Sequence, residues 1–167
     1  MNYNGLITAD IANGLGVRVS LFVSGCTMGC PGCHNPEAQD FEYGVPFDGM
    51  AKAKVLRALS RPWVKGLTIT GGHPLEEANV EEVRDFVFDV KRRFPAKDIW
   101  LYTGKTISYK DICDSELLKK CDVVVDGAYL EERKNPALAF RGSDNQKIID
   151  VKQSLTNGFI IEVKGLE

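Results

Sequence analysis

An α/β fold built on a mostly parallel sheet is what this sequence predicts, and three observations predict it. Four short runs rich in β-branched and apolar residues recur along the chain: Val17 to Val23, Gly66 to Thr70, Ile99 to Tyr102 and Cys121 to Val125. Segments of helical spacing separate them, clearest in Val83, Phe86, Val87 and Val90. Polar, glycine-bearing segments follow the first three runs at Ser24-Gly25, Gly71-Gly72 and Thr103-Gly104. Alternating strands and helices pack as a parallel sheet with right-handed crossovers. At 167 residues and 44% hydrophobic content, the chain fits one domain, residues 1–167, with one sizeable core.

The elements follow in order. Asn13-Gly14-Leu15-Gly16 reads as a turn before the first strand; its two glycines are too generic for a phosphate loop. Val17 to Val23 is a buried strand, closed by Ser24-Gly25. Asp48 is placed to cap a helix from about Met50 to Ser60, with Val55, Leu56 and Leu59 on one face. Gly66 to Thr70 is the second strand, followed by the turn Gly71-Gly72-His73-Pro74. A strongly amphipathic helix lies near Val80 to Phe94, and the acidic face of Glu76, Glu77, Glu81 and Glu82 reads as a solvated N-terminal turn favoured by the helix dipole. Ile99 to Tyr102 and Cys121 to Val125 are the third and fourth strands, with short helices around Tyr109 and Leu117 between them. Trp100 and Tyr102 alternate with Ile99 and Leu101, which reads as packing rather than stacking on a cofactor. Lys147 to Val151 and Phe159 to Val163 are shorter strand candidates that would make an edge pair.

The chemistry lies in Cys26, Cys30 and Cys33, spaced Cys-x3-Cys-x2-Cys directly after the first strand. A short loop can aim all three sulfurs at one centre. Structural zinc wants four protein ligands, whereas a cluster held by three thiolates leaves one iron open for chemistry. Gly29, Pro31 and Gly32 supply the tight turns such a wrap needs. Zinc, or a Cys30-x2-Cys33 redox dithiol, are the rival readings; the dithiol leaves Cys26 unexplained. Ligands of parallel sheets bind outside the carboxyl ends of the strands. The cysteine loop, Gly71 to His73 and Thr103-Gly104 all fall there. Cys113 and Cys121 stand alone and read as small buried hydrophobes.

These motifs resemble the radical S-adenosylmethionine superfamily. Within it, the chain is similar to the activating enzymes of anaerobic ribonucleoside-triphosphate reductase. Beyond the cysteine motif, the resemblance rests on Asn13-Gly14-Leu15-Gly16, Leu21 to Cys26, Cys30 to Asn35 and Gly66 to Pro74. It continues through Lys97 to Gly104, Val123 to Gly127 and Arg141-Gly142-Ser143-Asp144-Asn145-Gln146. It runs from Met1 to Gln146, and residues 147–167 form a C-terminal extension without a matching motif.

The resemblance implies an open, partial (β/α) barrel. It implies that Cys26, Cys30 and Cys33 hold a 4Fe–4S cluster whose fourth iron binds S-adenosylmethionine. One-electron reduction would split the sulfur–C5′ bond, and the resulting radical would take a hydrogen from a glycine of the reductase. Gly32, Cys33 and His34 are the implied adenine-side contacts, and Gly71, Gly72 and His73 the implied contacts to the cofactor's amino group. His34 as a fourth metal ligand is the rival role; its adjacency to Cys33 makes that geometry awkward. His73 stands where the family usually has an acid. A carboxylate would neutralise an ammonium; a neutral imidazole only accepts a hydrogen bond. The alternative is an ordinary loop histidine before a proline. Arg141 to Gln146 is either a plain loop or a contact with the partner.

The implied partners are the large glycyl-radical subunit of the reductase and a one-electron donor such as a flavodoxin. A pyruvate formate-lyase type activase is the alternative target, and a zinc-stabilised binding module the non-enzymatic alternative. A net charge of −2 and a pI near 5.8 carry no electrostatic footprint for nucleic acid. No apolar run approaches a membrane span, and the start lacks a signal-peptide pattern. Five cysteines without a disulfide-like pattern suit a reducing cytoplasm.

Overall fold

The alternation of apolar runs and amphipathic segments produces one open sheet of seven strands in a computed structural model that describes residues 1–166. The strands are β1 (Asn2–Asp10), β2 (Arg18–Val23), β3 (Val45–Pro46), β4 (Gly66–Gly71), β5 (Asp98–Tyr102), β6 (Val123–Asp126) and β7 (Lys147–Asp150). Their order is β3-β1-β2-β4-β5-β6-β7. Four central strands, β2, β4, β5 and β6, run parallel; β1, β3 and β7 pair antiparallel at the two sides. The sheet is therefore mixed and does not close into a barrel.

Helices α1 (Gly49–Leu59), α2 (Glu77–Arg93), α3 (Tyr109–Asp114), α4 (Glu116–Lys120) and α5 (Val151–Asn157) complete the order. Asp48 caps α1 by accepting from the Ala51 amide at 2.9 Å, as its position predicts. Ser108 and Asp111 cap α3 reciprocally.

The side chains of each central strand alternate between two faces. On one face Val19, Leu21, Leu67, Ile69, Ile99, Leu101 and Val124 meet Val55 and Leu59 of α1 and Val83, Val87 and Val90 of α2 in the main core. The other face carries buried Arg18, Ser20, Thr68 and Trp100, with Val125 and Ile148 beside them. Arg18 is held by Asp98 at 2.6 Å, by Thr68 Oγ1 at 2.7 Å and by the Trp100 ring at 5.3 Å. Phe140 packs edge-on against Trp100 at 5.5 Å, and its carbonyl accepts from the Tyr102 hydroxyl at 2.8 Å. These contacts hold Phe140 at a φ of 57°, the only positive value outside glycine among the described residues. Trp100 is thus a packing residue, while Tyr102 also lines the cavity at the strand ends.

Two expectations need correction. The strand from Val17 is the second, because Asn2–Asp10 already forms β1 against it. Lys147 and Phe159 do not start an edge pair. Lys147–Asp150 joins the main sheet on β6, residues 151–157 turn into α5, and Glu162 makes only an isolated bridge to Ile149. No helix among the described residues is long and apolar enough to cross a membrane.

Candidate functional site

β2 ends at Val23, and the chain leaves it through Ser24 and Gly25 directly into the cysteine loop. Because β2, β4 and β5 are parallel and in register, their carboxyl ends bring this loop, the Gly71-Gly72-His73 turn and Thr103-Gly104 together. Cys26, Cys30, Cys33, His34, Gly71, Gly72, His73 and Thr103 line one cavity of about 130 Å³. Every residue assigned to the site from sequence reaches this end of the sheet. Gly32, which does not line that cavity, lines the adjoining groove, where a Cβ would lie 2.4 Å from Glu131 Oε2.

Backbone bonds knit the loop to its surroundings. The Gly25 and Cys26 amides donate to the carbonyls of Ala38 and Gln39 at 2.8 and 3.1 Å. The Gly72 and His73 amides donate to the carbonyls of Val23 and Gly25 at 2.7 and 2.8 Å. Gly72 packs so closely that a Cβ would lie 2.7 Å from both the Ala38 and Gly25 oxygens. The close approach for which this glycine is needed is therefore to the protein's own backbone. Gly71 has a φ of 103° and an equally tight fit against Val23.

His73 is buried at 1% exposure. Its Nδ1 lies 2.9 Å from Glu76 Oε1 and its Nε2 lies 2.8 Å from Thr103 Oγ1. Both ring nitrogens thus have protein partners, as do the amide and the carbonyl of His73. Thr103 Oγ1 also accepts from the Lys105 amide at 3.1 Å.

Glu76, at the N-cap of α2, also accepts from the Thr27 amide and hydroxyl, both at 2.9 Å. Burial pushes this carboxyl up, but the bonds from Thr27 and His73 outweigh it and hold Glu76 below the ordinary carboxylate range. Asn79, one turn further on and 1% exposed, donates to the carbonyls of Ser24 and His73 at 2.8 and 3.2 Å. The first turn of α2 therefore brackets the cysteine loop. Sequence reasoning missed this, having read Glu76 as solvated.

The thiols are all free. Burial pushes Cys26 up, and the neighbouring Glu76, Cys30 and Cys33 push the same way. Among the described residues no three His, Cys, Asp or Glu side chains close on a single ion. One zinc ion with sulfur ligands at about 2.3 Å would draw its ligands to one point. Three thiols lining one cavity are the number a 4Fe–4S cluster with one open iron takes. Cys121 is elsewhere, 4% exposed, with its thiol pushed up to about 12 by burial.

Arg141 to Gln146 forms a hydrogen-bonded turn beside the site, and Arg141, Gly142 and Gln146 line the groove next to it. Gln146 accepts from the Gly142 and Ser143 amides and donates to the Gly127 carbonyl at 2.9 Å, while Asn145 donates to the Ala128 carbonyl at 2.8 Å. Together they fix the exit of β6, so that Gly127 and Tyr129 face the cavity. The cavity opens into a groove of about 710 Å³ along the second face of the sheet, past Phe22, Thr70, Tyr102 and Phe140.

Comparison with known proteins agrees with this geometry. Residues 12–149 match the family described as a 4Fe–4S single cluster domain. The chain is 42% identical over 150 residues to the anaerobic ribonucleoside-triphosphate reductase-activating protein of Haemophilus influenzae, covering 89% of this chain and 97% of that one. It is 43% identical over 148 residues to the protein of the same name from Enterobacteria phage T4, covering 89% and 93%. The Escherichia coli K12 protein of that name is 35% identical over 150 residues, covering 89% and 97%. With the cysteine loop, the glycine turn and this extent of similarity together, the chain belongs to the family of anaerobic ribonucleoside-triphosphate reductase-activating proteins.

Proposed function

We propose that this chain, as a single radical S-adenosylmethionine domain, installs a glycyl radical on the large subunit of anaerobic ribonucleoside-triphosphate reductase. The observation that carries the reading is the convergence of three free cysteines and the Gly71-Gly72 turn on one cavity at the strand ends. Cys26, Cys30 and Cys33 would hold a 4Fe–4S cluster, which, given one electron by a flavodoxin-like donor, would supply the electron for cleaving S-adenosylmethionine. The protein's own part is placement and exclusion of water. Backbone groups of Gly32, Cys33 and His34 face the adenine side, and the turn Gly71-Gly72-His73 faces the amino group. The groove past Phe22, Thr70 and Phe140, open and partly apolar, receives the glycine-bearing segment of the reductase. The cytoplasm, where thiols stay reduced, is the compartment this chemistry fits.

The test is anaerobic incubation of the reconstituted, reduced protein with S-adenosylmethionine and purified reductase subunit. A glycyl doublet in the electron paramagnetic resonance spectrum of the reductase supports the target. Cofactor cleavage without a doublet would mean that another glycyl-radical enzyme, or a small molecule, is the substrate.

A further inference from the structure

The His73–Glu76 pair lies outside the ligand set, yet its geometry is aimed at the cysteine loop. Glu76 Oε1 collects three hydrogen bonds, from His73 Nδ1 and from the amide and hydroxyl of Thr27, the residue after Cys26. His73 is buried and wedged between Glu76 and Thr103, which fixes the carboxylate in place. Glu76 is the carboxylate of the pair, and the bonds from Thr27 and His73 hold it below the ordinary carboxylate range. Among the described residues no lysine or arginine pairs with Glu76; Lys105, on the adjacent loop, directs its Nζ to the Leu75 carbonyl at 3.5 Å. Glu76 also sits at the N-terminus of a 17-residue helix, where it offsets the partial positive charge that α2 would present to the loop.

We infer that Glu76, oriented by His73, is a positioning residue that holds the Cys26 end of the loop and, through its charge, makes the bound cluster a stronger reductant. The inference rests on the cluster assignment proposed above. When the external donor delivers one electron, the negative charge at the site grows by one. A fixed carboxylate nearby opposes that change and moves the potential downward, since net charge and local hydrogen bonding are what set such potentials.

The experiment is a redox titration of anaerobically reconstituted protein with titanium(III) citrate, without S-adenosylmethionine, read by the electron paramagnetic resonance signal of the reduced cluster. Glu76→Gln keeps the acceptor oxygen for Thr27 and removes the charge. At the potential where the native protein is half reduced, its reduced-to-oxidised ratio should be about tenfold higher, equivalent to about 59 mV for one electron. Glu76→Asp keeps the charge and should titrate within about twofold of the native protein. Iron and sulfide are counted on every sample. A fully loaded Glu76→Gln protein that titrates with the native one overturns the inference. So does an upward shift in Glu76→Asp, which supplies the test even where the glutamine variant loads poorly. A native protein that shows no 4Fe–4S signal fails the proposed function itself, a different outcome from an absent shift.

Discussion

Replacing Gly72 by alanine should damage the cysteine loop before it touches any cofactor. The added Cβ would sit 2.7 Å from the carbonyl oxygens of Gly25 and Ala38; reaching ordinary contact at 3.4 Å requires each to retreat by about 0.7 Å. Both are backbone atoms, so no side chain can swing aside. The same oxygens accept hydrogen bonds from the His73 and Gly25 amides at 2.8 Å. A retreat of that size takes these bonds past the usual upper length of about 3.2 Å. Overpacking costs about 1–3 kcal/mol, and each weakened bond adds about 1 kcal/mol, giving about 3–5 kcal/mol in all. For a chain of this length that lowers Tm by about 10 °C. Gly29→Ala is the control. Its φ of 58° carries strain of about 1 kcal/mol, but no atom lies within 4 Å of the new Cβ. Thermal unfolding of the metal-free protein by circular dichroism, with iron per chain after reconstitution, makes the comparison. A Gly72→Ala protein that melts with the native one and loads full iron would refute the packing argument and return this glycine to a purely ligand-facing role.

Asn79→Ala should cost about 1–3 kcal/mol and lower iron uptake, because it removes the side-chain donor to the Ser24 carbonyl and one of two donors to the His73 carbonyl; unchanged melting and loading would count against the bracket. Cys30→Ala should remove the cluster absorbance, whereas Cys121→Ala should keep it and cost about 1 kcal/mol of packing; a Cys30→Ala protein with full iron contradicts the ligand assignment. Asp10 gives a pH test. Burial pushes its carboxyl up, but bonds from Ser20, Asn13 and the Ala12 amide outweigh that and lower it. A depressed carboxylate stabilises the fold above its unfolded pKa of about 4, and the contribution is lost as pH falls through the folded value. The stability gap between native protein and Asp10→Asn, on the order of 1 kcal/mol by urea unfolding, should therefore be full at pH 6 and close under acid. A gap that persists at pH 2 removes the carboxylate as its source.

The four parallel strands, α1, α2 and the cysteine loop were legible because their signals are local: apolar runs, helical spacing, and cysteines within eight residues. β1 was not, since Asn2–Asp10 mixes asparagines, a glycine and an exposed Ile7 and is interrupted by register shifts. A strand interrupted by bulges has no clean alternation to read. α5 was hidden by its short polar run, although Asp150 as N-cap and Gly158 at a φ of 83° were signals in hand. The site residues were legible as a set, but their division of labour was not. Glu76 carries the same letter as the solvated glutamates beside it, and only the fold places Thr27 within its reach. Likewise, a glycine pair at a strand end reads the same whether a ligand or the protein's own carbonyls come close.

The central claim is tested most directly by anaerobic reconstitution with iron and sulfide, followed by reduction in the presence of S-adenosylmethionine and chromatography for 5′-deoxyadenosine. The account predicts four irons and four sulfides per chain, in line with a single 4Fe–4S cluster. It also predicts 5′-deoxyadenosine from the native protein and none from Cys26→Ala, Cys30→Ala or Cys33→Ala. A colourless native protein that binds zinc stoichiometrically and forms no 5′-deoxyadenosine would contradict it.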